Sequence, residues 1–363
     1  MRFIIIGYRD SYFWNEYGTS VRDLQIAEIL SREHEVIFVN RPVSIYERVI
    51  NKSKKKSIYE KYSSRITFLD STSYDLIGPV RGRLWTEKCY IKFIDKVIDL
   101  YATNFNGKVI IIDFTPLAKI NYKPLKNVIY WYDLIDNFAI HNRFSSREKF
   151  AVAQKYLYVD KHANFITAVS EKALKSFSNK YKYVMPNGIY IEESVNDNRH
   201  LPKRHNNYQL GFVGFITDKF DVDFVNKLAE KYTIIIWGKC FDDKIIQRLD
   251  DRIKVAGPFR YNDLPDIMTT FQVGLMPYLA EKSHDESPLK MYEYFKYGIP
   301  CLSSMNFEID SKWFENYSNL SIEKLDDIIR YFLECSHSDD VKKTIREEWM
   351  FDTKIKTILS RLK

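Results

Sequence analysis

Short apolar runs recur along this chain, each followed by a stretch of helical period, and that alternation restricts the fold more than any other feature. The runs at 3–6, 36–39, 109–112, 128–131 and 165–169 are apolar on both faces, as in strands covered from two sides. Weaker strand patterns lie at 65–69 and 183–185, the last ending in Pro186-Asn187-Gly188. A loop through Gly18 and Thr19 opens a helix at 21–31, and Ser170 caps another. Residues 84–104 place Tyr90, Ile94, Val97, Ile98 and Tyr101 at helical spacing. Strands separated by helices build a parallel sheet, because a parallel neighbour is reached only by a crossover. Residues 189–207 lose periodicity and turn polar, as a linker does. The pattern then restarts, with strands at 210–214, 233–238, 255–257, 273–276 and 300–302 and a helix at 224–231. The chain thus reads as α/β, with two doubly wound Rossmann-like domains (1–188 and 208–338) facing across a cleft. Residues 339–363 read as a basic amphipathic helix, with Trp349, Ile355, Ile358 and Leu362 apolar.

Two domains suit 363 residues, and 45% apolar with 15% aromatic side chains is enough to bury two cores. Cys89, Cys240, Cys301 and Cys335 show no paired spacing, which fits a reducing, cytoplasmic setting and no zinc site. Residues 1–7 are too short for a signal-peptide core, and no apolar run approaches ~18 residues, the length needed to span a bilayer. The formal charge is +7, and part of the excess is local: Arg48, Lys52, Lys54, Lys55, Lys56 and Lys61 cluster around Ile50, Ile58 and Tyr59. This region is either a solvated loop or a patch for anionic lipid or a phosphorylated acceptor, each Lys contributing ~1 kcal/mol at an anionic membrane. No nucleic-acid-binding motif accompanies it, so nucleic acid is not an expected partner.

Residues 287–300 spell out a short helix with its ends marked. Ser287 suits the N-cap and Pro288 the first position, Gly298 suits a left-handed C′, and Pro300 forbids continuation. Ser287, Lys290 and Glu293 share one face, while Leu289, Met291, Tyr292, Tyr294 and Phe295 make the rest apolar or aromatic. A buried helix with such a polar line needs a ligand or an internal Lys290–Glu293 ion pair. For a ligand, the helix N-terminus would hold a phosphate, Lys290 would neutralise it, and Glu293 would accept both hydroxyls of a ribose.

In doubly wound sheets ligands bind beyond the carboxyl ends of the strands. That rule selects Gly214 with Phe215, Thr217 and Lys219, then Gly238 with Lys239, and the loop 257–261 with Phe259 and Tyr261. In the first half it selects Asp133, Asp136 and Asn137, with His141, Arg143 and Arg147 just beyond. A carboxylate there could take a proton from an attacking hydroxyl, but position alone favours a helix cap at Asp136 or Asn137. Asp221-Val222-Asp223 has a D-x-D spelling but begins a helix, and reads as capping and surface charge. Phosphate-loop and dinucleotide fingerprints are absent, and the seven histidines show no H-x-x-x-H or H-E-x-x-H spacing, so no catalytic metal is expected.

Taken together these blocks resemble the GT-B glycosyltransferases over nearly the whole length. The likeness is strongest to bacterial exopolysaccharide and teichuronic-acid-type (group 1) enzymes, and more distant to the xanthan glucuronosyltransferase. Residues 22–30 are similar to an R-P-Q-x-L-A-x-x-L helix, with Asp23 and Leu24 departing from its Pro-Gln, and 132–136 match Y-D-x-x-D. Pro186-Asn187-Gly188, then Gly257-Pro258 through Leu264-Pro265, follow in order. Ser287-Pro288-Leu289-Lys290 with Glu293-Tyr294 and Gly298-Ile299-Pro300 is the most specific block.

The resemblance implies hexosyl-type transfer from a nucleotide-sugar, a UDP-sugar above all, needing neither metal nor other cofactor. The acceptor would be a lipid-linked or polysaccharide glycan of the cell envelope, bound by residues 1–188 at the inner face of the plasma membrane. Lys290 takes the phosphate-binding place and Glu293 the ribose-binding one, with Ser287 and Leu289 at the diphosphate and the base against the loop of Phe259 and Tyr261. Asp285 stands eight positions before Glu293, where relatives place an acid near the sugar, with Glu286 adjacent. Asp136 is the positional match to a carboxylate base, Asp133 the second, and both inverting and retaining outcomes occur among relatives. The segment 339–363 would return to the N-terminal domain. A nucleotide-sugar epimerase of the same twin fold and a non-catalytic nucleotide-binding subunit are the alternatives.

Overall fold

The protein is described by a computed structural model over residues 1–17, 21–52, 57–193, 207–307 and 309–362. Gly18, Thr19, Lys54, Lys55, Lys56 and residues 194–206 of the expected linker lie outside the described residues. The chain divides into two compact units. Unit 1 comprises Met1–Pro186, His284–Glu286 and the chain from Ile358 on; unit 2 comprises Asn187–Ser283 and Ser287–Thr357.

The described strands are β1 (Arg2–Ile6), β2 (Glu35–Val39), β3 (Val43–Ser44), β4 (Ile66–Leu69), β5 (Thr72–Ser73), β6 (Val109–Asp113), β7 (Val128–Leu134), β8 (Phe165–Ala168) and β9 (Lys182–Val184) in unit 1. In unit 2 they are β10 (Tyr208–Val213), β11 (Ile234–Trp237), β12 (Lys254–Gly257), β13 (Phe271–Met276), β14 (Cys301–Ser303) and β15 (Phe314–Asn316). Unit 1 carries a parallel sheet ordered β4-β2-β1-β6-β7-β8-β9, and unit 2 one ordered β12-β11-β10-β13-β14-β15. In each the first strand is central, so the crossovers leave it in opposite directions and create a switch point, at β1/β6 and at β10/β13. The apolar runs fill the interior: Phe3 to Ile6 and Val109 to Ile112 are fully buried in one unit, as are Phe212, Ile236 and Val273 in the other.

Several elements differ from the sequence reading. Helices Ser146–His162 and Ile322–Cys335, strand β15, and the two-stranded sheet β3-β5 were not expected. The segment 339–363 is not one helix but three pieces, Asp339–Lys343, a 3₁₀ turn at Glu347–Trp349, and Phe351–Ser360. The first break has a local cause: Thr344 bonds its hydroxyl back to the Val341 carbonyl (2.7 Å), and Arg346 is extended. Only the end of the last helix, from Ile358, belongs to unit 1.

Two buried ion pairs knit unit 1. Arg22 grips Asp133 through Nε (2.7 Å) and Nη2 (3.1 Å), and Nη2 also donates to the Met185 carbonyl (2.7 Å). Lys155 Nζ and the Tyr122 hydroxyl both donate to Asp113 Oδ2, at 2.5 and 2.7 Å. Neighbouring Asp23, where the related pattern has Pro, is wholly enclosed and accepts the Tyr8 N–H at 3.2 Å. Burial pushes its carboxyl up to about 6, against weaker lowering by the Tyr8 N–H and by Arg9.

A carboxyl raised in the folded state binds its proton more tightly than in the unfolded chain. Its contribution to stability is therefore complete below the ordinary value of 3.8 and is lost as pH rises through about 6. That difference corresponds to ~3 kcal/mol. Asp23→Asn, which keeps an acceptor for Tyr8, should flatten the fall in stability between pH 4 and 7 (about three units), read from urea unfolding midpoints; an unchanged slope would refute the assignment.

Candidate functional site

At the switch point of unit 2, consecutive strands end in glycines whose backbone only glycine adopts readily. Gly214 follows β10 at φ +136°, Gly238 follows β11 at φ +150°, and Gly257 ends β12 at φ +88°. A Cβ on Gly238 would lie 1.8 Å from the Gly214 carbonyl oxygen, and one on Gly214 would lie 2.9 Å from Lys290 Nζ. The strand ends therefore present bare backbone with an ammonium group held close above it. Phe215, next in line, is partly exposed beside Phe241 (ring centroids 5.3 Å), and Lys239 lies over the same Phe241 ring at 5.6 Å.

The helix expected within 287–300 spans Leu289–Lys296. Ser287 is not its N-cap: Pro288 occupies that position in extended geometry, and no side chain caps the first N–H groups. The Ser287 hydroxyl instead accepts the Asn187 N–H (3.1 Å), and its carbonyl accepts Asn187 Nδ2 (2.6 Å). The Pro-Asn-Gly turn thus ties down the entry to the helix, whose N-cap residue supplies no side-chain bond to the first turn. The far end follows the sequence reading. Gly298 is left-handed at φ +74°, its N–H reaches the Phe295 carbonyl, and the Ile299 N–H reaches that of Tyr294 (both 2.9 Å).

Lys290 and Glu293 each have contacts with other side chains. Lys290 Nζ stands over the Phe212 ring at 3.9 Å and the Tyr278 ring at 5.0 Å, a cation–π seat that holds it near Gly214. Glu293 is buried and accepts the Tyr261 hydroxyl at 2.6 Å through Oε1. Burial and then the Glu293 charge hold the Tyr261 hydroxyl well above its ordinary range, so it remains a protonated donor. Glu293 Oε2 is buried without a hydrogen-bond partner, and Lys296 Nζ lies at 3.9 Å. Phe259 packs half-buried against the core two residues before Tyr261, and Leu289 opens the helix half-buried.

In unit 1, Asp133 is set apart from Asp136. Its carboxylate is fully buried and bonded to Arg22 and Thr167. Asp136 caps no helix, since Ser145 with Glu148 forms the capping box of the next one. It lies instead 3.3 Å from Nδ1 of buried His284, which is also 3.5 Å from Glu286 Oε2 and stacked on His141 at 4.1 Å. Asn137 ties this segment down, its N–H donating to the His284 carbonyl and its Nδ2 to Asp285 Oδ2, both at 3.1 Å. Asp285 sits at φ +61°, and its carbonyl accepts the Ser170 hydroxyl at 2.8 Å. His284 escaped the sequence reading because the loop before 287 has no period to place it; its adjacency to Asp285 was the one available signal.

A cavity of about 420 Å³ opens at the β1/β6 switch point, lined by Arg9, Arg41, Arg83, Trp85, Tyr90 and Thr115 among others. Arg41 is held by Asp10 and Glu47, whereas Arg9 stacks on Tyr8 and Phe13 at 4.4 and 4.5 Å. The Asp221 and Asp223 carboxylates do what their position, rather than their D-x-D spelling, predicted: Asp221 caps a helix through the Phe224 N–H (3.0 Å), and Asp223 pairs with Arg248 at the surface. Among the described residues no cluster of three His, Cys, Asp or Glu side chains could hold a metal ion.

The Glu293–Tyr261 bond also carries stability. Tyr261→Phe leaves both Glu293 oxygens without a hydrogen-bond donor and should cost about 1–3 kcal/mol in urea unfolding; a loss under a few tenths of that would mean the pair is incidental.

No family profile and no curated relative matches the chain. Solved structures do. HepE of Anabaena, crystallised with UDP and glucose, superposes with a TM-score of 0.60 at 13% identity, over 100% of this chain and 99% of its own. TarM gives 0.61 at 11% identity, over 99% and 98%. The UDP-GlcNAc 2-epimerase of Methanocaldococcus jannaschii gives 0.52 at 14% identity, over 99% and 100%. With its two parallel sheets of this order, the chain has the GT-B fold of two Rossmann-like domains, the fold of these glycosyltransferases and epimerases.

Proposed function

We propose that this protein transfers a sugar from a UDP-sugar to a lipid-linked or polysaccharide acceptor in cell-envelope glycan synthesis, without a metal. The observation that carries the donor assignment is the buried, half-satisfied Glu293 carboxylate one turn along the helix from Lys290. A buried acceptor without a partner costs about 1–3 kcal/mol, and the hydroxyls of a ribose would recover it. The uncapped N-terminus beside Ser287 and Leu289, with Lys290, would take the diphosphate against the bare backbone of Gly214. The nucleotide base would lie by Phe259 and Tyr261, with Phe215 and Lys239 at the adjoining strand ends. Crystallisation of HepE with UDP and glucose supports this choice of donor.

In unit 1, Asp136 is the general base and Asp285 the acid that orients the sugar. In an inverting transfer Asp136 takes the proton of the acceptor hydroxyl as its oxygen bonds to the anomeric carbon. The bond from that carbon to the diphosphate breaks, and UDP leaves with the electron pair, its charge met by Lys290. The basic composition of the stretch 52–61 supports a seat at the anionic inner face of the plasma membrane. No helix among the described residues is long and apolar enough to cross a membrane.

Lys290→Ala and Glu293→Ala should each weaken UDP binding about tenfold or more in calorimetry, the worth of a charge-assisted hydrogen bond; unaltered affinity in both would sink the donor site. Asp136→Asn should keep UDP affinity and lose most turnover, and a fully active variant would remove Asp136 as base. Incubation with UDP-sugar alone separates the readings: an epimerase interconverts the sugar without acceptor, a transferase leaves it unchanged, and a non-catalytic subunit binds UDP without turnover on any membrane extract.

A further inference from the structure

His284 belongs to unit 1, although the chain on either side of 284–286 belongs to unit 2, and only 5% of its surface is accessible. Three contacts fix it. Its backbone N–H donates to Glu286 Oε2 (2.9 Å), its carbonyl accepts the Asn137 N–H (3.1 Å), and its ring stacks on His141 with 17° between the planes. His141 accepts the Arg143 N–H at Nδ1 (3.1 Å), so that nitrogen carries no proton. The His284 ring cannot turn over without leaving this stack.

Nδ1 of the fixed ring faces two carboxylates, Asp136 Oδ1 at 3.3 Å and Glu286 Oε2 at 3.5 Å. A bare lone pair there would be repelled by both oxygens, which puts the imidazole proton on Nδ1. Neither approach is a finished hydrogen bond, and Nδ1 is buried with no partner in bonding geometry. An unused buried donor is costly, and a small shift toward either carboxylate removes the cost. Glu286 Oε2 already accepts the backbone N–H of His284. Among the described residues no other side chain bonds or pairs with the Asp136 carboxylate. Closure onto Asp136 therefore satisfies two groups at once. The Asp136 side chain is 29% accessible, so Oδ2 stays open to another donor.

We infer that His284 is the positioning residue of Asp136: its Nδ1–H closes on Oδ1, stops the carboxylate rotating and leaves Oδ2 for the acceptor hydroxyl. This rests on the proposed function, in which Asp136 is the base. A base works only within hydrogen-bond reach of the proton it takes, and a part-exposed carboxylate with no other anchor would drift out of that reach. The hydroxyl proton goes to Oδ2, and His284 keeps its own proton throughout. Glu286, bonded to the His284 backbone, holds the imidazole from behind.

The test uses the full chain, UDP-glucose as donor probe and a membrane extract as the source of acceptor. His284→Phe keeps a ring on His141 and deletes the donor. It should cut kcat about tenfold or more, the worth of a hydrogen bond to a charged group, and leave the KM for UDP-glucose within about twofold. His284→Asn, whose Nδ2 lies near the place of Nδ1, should recover most of that loss. In the Asp136→Asn background His284→Phe should cost nothing further, because the group it positions is gone. A parent-like kcat in His284→Phe, or a loss that adds in full to that of Asp136→Asn, overturns the inference and leaves Asp136 standing as base. A fully active Asp136→Asn overturns both. A second measurement needs no acceptor: with the nitrogens of the seven histidines isotope-labelled, magnetic resonance should find the His284 proton on Nδ1. That signal, assigned by its loss in His284→Asn, should move in Asp136→Asn. An unprotonated Nδ1, or a signal indifferent to Asp136→Asn, overturns the inference whatever the turnover.

Discussion

A parallel strand can be continued only by a crossover, and in each unit the crossovers leave the first strand toward opposite edges of the sheet. The gap this opens at the strand ends cannot be closed by the sheet's own chain. In unit 2 it is floored by glycine backbone after β10 and β11, with the helix Leu289–Lys296 beside it. In unit 1 it becomes the cavity by Arg9 and Thr115. Every candidate ligand group of unit 2 is placed by this one topological necessity, and the strands themselves need only be apolar and close-packed.

Buried charge divides into two kinds in this molecule. Arg22 with Asp133, and Lys155 with Asp113 and Tyr122, are saturated: each carboxylate is met by several donors, and each cation by a carboxylate and a carbonyl. Such networks fix the arrangement of strands and crossovers and offer nothing to a ligand. Glu293 differs by one oxygen. Tyr261 satisfies Oε1 and keeps the side chain in one rotamer, while Oε2 stays desolvated. A buried carboxylate is thus saturated with donors in one place and half-satisfied in another, and counting donors distinguishes them.

That distinction marks where the sequence was legible. Strands such as β1 and β6 could be read because burial on both faces forces an unbroken apolar run, and Gly298 because a helix needs a left-handed exit before Ile299. The line Ser287, Lys290, Glu293 was visible as spacing, but spacing could not say that Glu293 turns to Tyr261, thirty-two positions earlier in the chain. Ser287 was misread because a good capping residue beside a proline is equally good at accepting a distant N–H, here from Asn187. The helix Ser146–His162 was hidden by the lysines, tyrosines and glutamine that interrupt its apolar positions. The pair Asp136–His284 joins positions far apart, and nothing local announces it.

Asp285 holds its backbone at φ +61°, a conformation that a residue with a Cβ adopts at a cost of about 1 kcal/mol or more. Asn137 and Ser170 keep it there through its carboxylate and carbonyl. Glycine would relax the strain and delete the carboxylate in one substitution. A laboratory selection for heat tolerance alone would therefore be drawn to this codon, and a selection that also demanded the carboxylate would be repelled from it. The sign of that preference, under the two regimes, separates a residue kept for what its side chain does from one kept for the fold.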